Sequence, residues 1–541
     1  MSDSLKILLL MLLGGVLCSA NMAAQNDSIR WQDFSFIKQS DIRLTGYNAA
    51  GMKHLPIDYI SSAAINATKQ NGDFINYHQS EDNYTLGAQV ESFYRLNPQI
   101  VFYGKVSYNY FEGKNMGGSA FINPYDNPFD IVEFADTTRG NKELENYHLT
   151  GAISADVYKG LTLGAKVDYR AANYAKTKDL RHKNKLMDLQ ATAGASYPLS
   201  KSVEIGANYY YRRTTEELTF KAYGTTDRIY TPLISYGAFF GVLETYQENA
   251  GQGYTQAGRS NPMFNEFHGG SLQANVHLNN GISFLNEATY KSRDGYYGRK
   301  SSSTIVYSEH SARIWEYRGM LSFAQKRNKH VLEVNIDNEQ LDNYENIYEK
   351  QTVPGEGSTS IIVYHGNLKV GDKETFNARA QYTGYLGIED YNPAWVVSAG
   401  AQFWQRRQTA SLYPYYRKQT IRYTRFNLQA ERNIVNGLNM YSFLLGASYQ
   451  TGSGTPKNDG LYATPSETTP KSSDLNLYRE YEYLTNNQIR SDIGFRYSRL
   501  LKHIGVKGYA SLRYSLSKAS DVQYLNGDKL NELTFSVGCT F

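Results

Sequence analysis

The last nine residues of the chain, 533–541, alternate between apolar and small or polar side chains. The apolar positions are Leu533, Phe535, Val537, Cys539 and Phe541, and Thr, Ser and Gly lie between them. A period of two places one set of side chains on each face of a β-strand. Two structures use such a half-apolar strand: a transmembrane barrel, and the edge of a soluble sandwich.

The same alternation recurs over most of the chain, which favours the barrel. Clear examples lie at 161–170, 189–197, 203–212 and 493–498. Soluble antiparallel sheets also alternate. Barrel strands, however, expose their apolar face to lipid. Because polar residues alternate with the apolar ones, the mean hydropathy of such a chain stays low. The chain has 47 Tyr and only 13 Pro, and tyrosine suits membrane interfaces as well as strands.

Tight and long connections take turns along the sequence. Tight turns are expected at 97–99, 159–160, 199–201, 279–281, 326–329, 436–437 and 501–503, and long polar stretches at 112–145, 215–263, 294–311 and 451–480. Short periplasmic turns and long extracellular loops are the habit of outer-membrane barrels. We therefore predict an all-β fold, an antiparallel transmembrane β-barrel of about 18 strands, with 14 or 16 as alternatives.

The predicted strands are 57–69, 84–96, 100–111, 146–158, 161–174, 186–198, 202–214, 264–278, 282–293, 312–325, 328–341, 374–386, 394–408, 418–433, 438–450, 481–499, 505–517 and 529–541. Residues 342–373 are assigned to a loop, because an added strand at 361–364 would break the even count. That short segment is either a strand of its own or part of an extracellular hairpin.

The N-terminal residues read as a secretory signal peptide. Lys6 precedes an apolar run at 7–17 that is too short to span a bilayer, and small residues follow. Cleavage is expected after Ala24, with Ala20 as the alternative. The predicted domains are a signal peptide at 1–24, an N-terminal arm or hatch at 25–56 and the barrel at 57–541. With Cys18 removed, the mature chain keeps only Cys539 and has no disulfide framework.

Two segments carry a resemblance to known families. The terminal strand ending on Phe541 resembles the closing strand of bacterial outer-membrane β-barrels, and the resemblance implies that the barrel assembly machinery reads this residue. The whole chain resembles Tyr-rich barrels of this class, a resemblance that implies no particular activity. Residues Asn48–Met52 resemble the signature of FadL-type fatty-acid transporters, with Ala49 in place of proline. In FadL-type transporters the leading segment forms a hatch inside the barrel. The resemblance therefore implies a hatch at 25–56, and the alternative is a periplasmic arm.

Several classes of function are disfavoured. The net charge of +4 is small and scattered, which gives no case for nucleic acid. No closely spaced His or Cys residues suggest a metal site, no nucleophile motif suggests catalysis, and no cofactor is expected. TonB-dependent receptors are disfavoured because no independent plug domain precedes the first strand.

The non-apolar faces of the clearest strands carry charges of both signs, which the lipid face would reject. The lumen-lining candidates are Lys166, Asp168, Arg170, Glu204, Asn208, Arg212 and Arg496. They predict either a polar conduit with a binding ladder or a salt-bridged lumen that only stabilises the barrel.

The long loops hold the candidates for the mouth or a ligand. Residues 233–241 form an apolar run inside a polar loop, and such a run is expected to fold inward. An aromatic and basic cluster follows at 413–418, which suits either a ligand or the lipopolysaccharide surface. The candidate residues are Tyr236, Phe239, Phe240, Tyr413, Tyr415, Tyr416 and Arg417.

These features together predict a channel or transporter for a small hydrophobic, amphiphilic or polar nutrient, whose identity stays open. The alternative is a closed barrel that serves as an assembly platform for a surface partner. The expected partners are outer-membrane lipid, lipopolysaccharide and the barrel assembly machinery.

Overall fold

We describe the protein from a computed structural model, which covers residues 31–134, 136–223, 228–247, 250–251, 253–278, 281–352, 360–502 and 504–541. The predicted signal peptide, Cys18, and parts of the predicted turns at 279–281 and 501–503 lie outside these residues.

Eighteen antiparallel strands form one closed barrel. They are β1 Tyr59–Gly72, β2 Asp82–Asn97, β3 Ile100–Met116, β5 Gly140–Tyr158, β6 Leu161–Lys176, β7 Arg181–Pro198, β8 Val203–Lys221, β11 Asn261–Leu278, β12 Ile282–Ser301, β13 Thr304–Gln325, β14 Asn328–Thr352, β15 Ser360–Leu386, β16 Trp395–Leu412, β17 Tyr415–Asn436, β18 Asn439–Leu461, β20 Gln488–Leu501, β21 Val506–Ala519 and β22 Lys529–Thr540. The predicted fold class and the predicted number of strands are confirmed.

The barrel closes where β1 pairs with β22. At the end of this seam, Phe541 donates its backbone N–H to the carbonyl of Ser61 at 3.0 Å and accepts from the N–H of Ser61 at 2.8 Å. Closure leaves no unpaired strand edge, which the hydrocarbon of a bilayer would penalise.

Each barrel strand presents an apolar face outward and a polar face to the lumen. Leu163 and Val167 of β6 are exposed, whereas Thr162, the residue next to Leu163, points the other way and is fully buried. The same outward exposure holds for Ile205, Tyr209, Leu428, Leu445, Ile493, Phe535 and Val537. The alternation read from the sequence is therefore the difference between a lipid-facing and a lumen-facing surface.

The remaining elements fill the two ends of the lumen. A small sheet in the order β19-β10-β9-β4 consists of β4 Asp130–Glu133, β9 Pro232–Gly237, β10 Phe240–Leu243 and β19 Lys471–Ser472. The helices are α1 Phe34–Gln39 and α2 Asp474–Thr485, with short 3-10 helices η1 Ile42–Leu44, η2 Ala49–His54, η3 Pro124–Asp126, η4 Asp136–Thr138 and η5 Gly253–Thr255.

Three predictions about individual segments are wrong. Residues 294–311 and 342–373 are mostly strand, because β12–β15 continue far above the length that crosses a membrane; β15 alone has 27 residues, against about 9–11 for a spanning strand. Residues 481–485 belong to α2, and β20 begins only at Gln488. The connection at 387–394 between β15 and β16 agrees with the gap between the predicted strands 374–386 and 394–408.

Candidate functional site

A segment that we call the plug, residues 33–56, lies inside the periplasmic end of the barrel. It consists of three short helical turns, each opened by a side chain that caps free backbone N–H groups. Asp33 accepts from the N–H of Phe36, Asp41 from that of Arg43, and Asn48 from that of Ala50. Closely spaced caps explain why this segment turns repeatedly and does not alternate like a strand.

One side of the plug is apolar and packs against the inner wall. Its buried residues Ile37, Ile42, Leu44, Met52 and Leu55 form one cluster with wall residues Ile60, Phe93, Val101, Leu285, Met320 and Val331. These wall residues are exceptions to the polar lumen. Burial of each aliphatic side chain contributes about 1.5–3 kcal/mol, so this cluster holds the plug in place.

The other side of the plug rests on three glycines of neighbouring strands, Gly164, Gly194 and Gly206, which we call the glycine groove. A Cβ atom at Gly164 would overlap the backbone of Ala50, and one at Gly194 would overlap the side-chain oxygen of Asn48. Asn48 donates to the carbonyl of Ala195 at 3.0 Å and to Oε1 of Gln273 at 2.9 Å. Glycine weakens a strand interior, and here it permits the close approach of the plug.

Ion pairs complete the attachment of the plug. Lys38 contacts Glu91 at 2.5 Å, and both Lys53 and His54 contact Glu204, at 3.2 and 3.0 Å. Each pair links a plug cation to a carboxylate of the wall and so attaches the plug to the barrel.

Above the plug lies a cavity of about 600 Å³, the upper chamber. Its floor is Thr45, Gly46 and Tyr47 of the plug, and its roof is the loop segment 122–127. The charged wall residues are Lys166, Arg170, Asp188, Arg212, Glu216, Glu287, Arg293, Glu316, Arg318, Asp337 and Glu339. A volume of this size suits a small organic molecule.

Both walls of the upper chamber carry charges of both signs. Strands β6–β8 contribute Lys166, Arg170 and Arg212 together with Asp188 and Glu216, and strands β12–β14 contribute Glu287, Glu316, Asp337 and Glu339 together with Arg293 and Arg318. Many of these groups are paired: Arg212 holds Asp188 with two bonds of 2.8 and 2.9 Å, and Lys291 holds Glu316 at 2.7 Å. The chamber therefore offers fixed donors and acceptors beside apolar side chains such as Ile314 and Phe267.

A second cavity of about 170 Å³, the lower chamber, lies between the plug and the wall formed by β3, β5 and β6. It shares Thr45, Gly46 and Lys166 with the lining of the upper chamber. The two cavities therefore meet at Lys166, beside the plug turn at 45–46.

The opposite end of the lumen is occupied by a structure that we call the cap, formed by loop residues within 117–139, 228–260 and 462–487. The sheet β19-β10-β9-β4 runs through it, with Leu233 and Ile234 fully buried. Phe129 packs edge-on against Tyr254 with ring centroids 5.0 Å apart, and Tyr254 stacks on Tyr297 of β12 at 5.4 Å. The cap and the barrel wall thus share an aromatic core.

Cations of the barrel wall fix the roof of the upper chamber by binding backbone carbonyls. Lys373 donates to the carbonyls of residues 125 and 127 at 2.6 and 2.8 Å, and Arg293 donates to that of residue 126 at 2.8 Å. Lys142 binds the carbonyls of residues 117 and 119 at 2.9 and 2.7 Å. These bonds satisfy carbonyls that would otherwise be buried without partners.

Helix α2 is attached to the barrel through two glutamates. Glu480 receives two bonds from Arg406, at 2.6 and 3.1 Å, and both side chains are almost fully buried. Glu482 accepts the backbone N–H groups of residues 523–525 in the neighbouring loop. Helix formation at 474–485 therefore depends on contacts distant in sequence.

Two buried carboxyls of the cap have shifted pKa values. Burial raises the pKa of Glu244 to about 7, although Thr255 and the N–H of Tyr254 donate to it. Burial also raises the pKa of Asp130 to about 6, against the opposing effect of bonds from Ser119 and Tyr77. Ionisation of either group is unfavourable inside the folded cap.

The predicted lumen candidates are distributed over the two chambers and the plug contacts. Lys166, Arg170 and Arg212 line the upper chamber, and Asp168 lines the lower one, where it pairs with His148 at 2.8 Å. Glu204 binds the plug, Arg496 pairs with Glu431 at 2.5 Å, and Asn208 is buried against Ser271.

The predicted mouth candidates fall into two groups. Tyr236, Phe239 and Phe240 are buried in the cap, where Tyr236 donates to Glu345 at 2.9 Å and the Arg417 guanidinium lies over the ring of Phe240. Tyr413 is 67% exposed. Tyr415 donates to the carbonyl of Ser466, and Tyr416 packs on Tyr462. These three tyrosines lie apart from both chambers.

Sequence reasoning missed the residues that hold the plug and the roof. The glycines at 164, 194 and 206 recur on the polar faces of three successive strands, and that recurrence was a usable signal for close backbone approach. Lys291 and Lys373 carried no such signal, because their partners, Tyr47 and the carbonyls of residues 125 and 127, are distant in sequence.

In the described residues, no group of three or more His, Cys, Asp or Glu side chains is arranged to hold a metal ion. No helix in the part of the chain that the structure describes is long and apolar enough to cross a membrane.

A closed even-stranded barrel with an apolar outer face and a plugged polar lumen defines the class of outer-membrane-type β-barrel proteins. Within it, the chain belongs to a family of unknown function, DUF6850, whose family model matches residues 49–541. The likeness of Asn48–Met52 to the FadL signature gains no support from this match. No curated protein matches the chain.

Solved structures with a similar barrel have low sequence identity to this chain. BauA, the ferric preacinetobactin receptor from Acinetobacter baumannii, is 10% identical over 88% of this chain and 80% of that chain, with a TM-score of 0.35. The outer membrane transporter YddB from Escherichia coli is 7% identical over 89% and 80%, with a TM-score of 0.38. A mutant of the ferric enterobactin receptor PfeA from Pseudomonas aeruginosa is 10% identical over 90% and 80%, also at 0.38.

Proposed function

We propose that this protein is an outer-membrane transporter that takes up a small polar solute through its lumen. The observation that carries the proposal is the upper chamber, a cavity of about 600 Å³ that lies between the cap and the plug. A barrel that served only as a scaffold would not need such a chamber inside its lumen.

The lining favours a polar solute over the hydrophobic or amphiphilic one that the sequence left open. Acidic and basic side chains line the chamber together, and both can form hydrogen bonds to a solute. An apolar solute would gain nothing from these groups and would strip them of water.

The plug is the part proposed to move. Within the described residues it continues into the barrel only through β1, and it contributes no strand to the sheet. Its displacement from the glycine groove would open the floor of the upper chamber while every barrel hydrogen bond stays intact. The cap would govern access from the outside.

A second candidate, the closed assembly platform, is favoured by the cap itself. Its own sheet and aromatic core give it the character of a stable surface rather than of loose loops. Lipopolysaccharide around the outer rim and the assembly machinery acting on Phe541 are proposed partners under both functions.

Conductance in planar bilayers separates the two candidates. The unmodified protein and a variant lacking residues 33–56 are compared after heat-modifiable mobility has shown that both barrels are folded. We expect the unmodified protein to be almost closed and the deletion variant to conduct. A folded deletion variant that stays closed would contradict transport and favour the platform.

A further inference from the structure

The lower chamber contains an unusual excess of positive charge. Its lining includes Lys38 and Arg43 from the plug and Lys105 and Lys166 from the wall, but only one carboxylate, Asp168. A cavity of about 170 Å³ is large enough for a small oxyanion with some water.

The carboxylates near this cavity are already engaged. Glu91 accepts from Lys38, from Tyr103 at 2.6 Å and from Gln89 at 3.2 Å. Asp168 is held by His148 at 2.8 Å and Thr150 at 2.9 Å. Little acceptor capacity remains for a further cation.

The carboxylate of Asp41, next to the chamber, is likewise engaged, since Arg43 of the plug holds both of its oxygens. The positive charge of Arg43 is therefore balanced inside the plug.

Of the four cations that line the lower chamber, Lys105 and Lys166 are the two for which the described residues show no ion pair. In the described part of the chain neither has a carboxylate within ion-pair distance, and the one hydrogen bond of Lys166 is a long contact of 3.5 Å to the carbonyl of Gly46. Each ammonium group has three donors. Two such groups on one small cavity form a binding site for an anion.

We propose that the lower chamber binds a small oxyanion, a carboxylate or phosphate group, between Lys105 and Lys166. The role of this site rests on the proposed transport function. In transport, the anionic end of a solute that leaves the upper chamber would pass Lys166 and enter the lower chamber beside the plug. The solutes that this barrel admits are then polar molecules with an acidic group.

Anion binding is measurable in the closed protein, without transport. Titration calorimetry of the full mature protein in detergent at low ionic strength would use inorganic phosphate in one arm and succinate in the other. We expect saturable binding of at least one anion, weakened about tenfold by Lys166→Gln or Lys105→Gln, since a charge-assisted bond contributes at least that factor. Binding of only one anion would assign the site to that class.

Lys183→Gln is the matched control. Lys183 is an exposed lysine of β7 that faces away from the lumen, and its loss changes the net charge by the same amount. We expect anion binding to be unchanged in this variant. Absence of saturable binding of both anions, or an equal loss in Lys183→Gln and Lys166→Gln, would overturn the inference.

Ion selectivity of an opened barrel separates this inference from the transport proposal. Adding Lys105→Gln and Lys166→Gln to the variant lacking 33–56 should lower its ratio of anion to cation permeability. A closed deletion variant that still binds phosphate would remove the transport function and leave the anion site standing. A conducting variant whose selectivity ignores both lysines would overturn the anion site and leave transport standing.

Discussion

The plug and the cap both fill the lumen, but they are attached in different ways. The plug is a single stretch of 33–56 that docks through an apolar cluster, ion pairs and the glycine groove. The cap is built from several loops, each tied to barrel strands at both ends, with a sheet of its own and an aromatic cluster that it shares with the barrel wall.

This difference indicates which end of the lumen opens first. Displacing the plug exposes its apolar cluster and breaks its ion pairs with the wall, but it leaves the barrel sheet complete. Displacing the cap exposes buried aromatic residues and breaks bonds from Lys142, Arg293 and Lys373. We therefore expect the plug to be the movable element and the cap to be the fixed one.

The largest expected effect follows from filling the glycine groove. In Gly164→Leu the new side chain would overlap the backbone of Ala50, and the plug would leave its site because the strand cannot shift. Conductance should rise from near zero to an open level in planar bilayers.

Gly151→Leu serves as the control for Gly164→Leu. A Cβ at Gly151 meets no atom, and the position is exposed on the outer face. If Gly151→Leu conducts, or if Gly164→Leu stays closed, the conclusion that the plug is the movable element would be wrong.

The next largest effect concerns the cap, where Arg406 attaches α2 to the barrel. Arg406→Met leaves Glu480 buried without its partner, which should destabilise the docking of α2 by about 3–5 kcal/mol. Hydrogen exchange of residues 474–485 would measure this loss. Arg407→Met, at the exposed neighbouring position, should change the exchange little.

Replacing both members of this ion pair is a further check. The double variant Arg406→Met with Glu480→Met removes the unpaired charge and should recover most of the protection. A double variant as unprotected as the single one would mean that packing, and not charge, holds α2.

A smaller effect is expected from pH. Because the folded cap raises the pKa of Glu244 to about 7, the folded state binds this proton more tightly than the unfolded one, and stability falls as pH rises towards 7. The loss between about pH 5 and pH 8 should be on the order of 1–3 kcal/mol. Protease sensitivity of the outer loops, followed against pH, measures it.

Variants assign this pH dependence to its source. Glu244→Gln should reduce the loss of stability between about pH 5 and pH 7, while Asp130, whose pKa is raised to about 6, still contributes below about pH 6. Glu467→Gln, an exposed carboxyl in the same cap, should leave the profile unchanged. A profile that Glu244→Gln does not alter would show that other groups control the cap.

The smallest effect is expected at Asn48, whose side chain accepts a backbone N–H at the start of a helical turn of the plug. Asn48→Ala removes a helix cap and two bonds to the wall, at a cost of about 1–2 kcal/mol. Thiol labelling of a reporter, Ala49→Cys, should accelerate about tenfold. Thr45→Ala removes only a bond within the plug and should leave the labelling rate unchanged.

The sequence by itself determined the barrel. Alternation at 161–170, 203–212 and 533–541 predicts strands with one lipid-facing side, and seven tight turns predict which strands are neighbours. A membrane leaves few options, since every backbone group must find a partner inside the sheet. Local pattern and global fold therefore agree.

Other features of the barrel depended on tertiary contacts. Above the membrane no lipid enforces alternation, so the continuation of β12–β15 could not be read from 294–311 and 342–373. Helix α2 forms where Glu480 meets Arg406 and Glu482 meets the loop at 523–525, contacts with no local signal.

The candidate site was decided almost wholly by the tertiary structure. The sequence places Lys166 on the polar face of β6, but only the closed barrel brings it to the same cavity as Lys105 of β3 and the plug turn at 45–46. Likewise, the position of 33–56 depends on the fit of Asn48 and Ala50 against glycines more than a hundred residues away. The period of two fixes which face a side chain takes, whereas the curvature of the barrel and the docking of the plug fix which side chains meet.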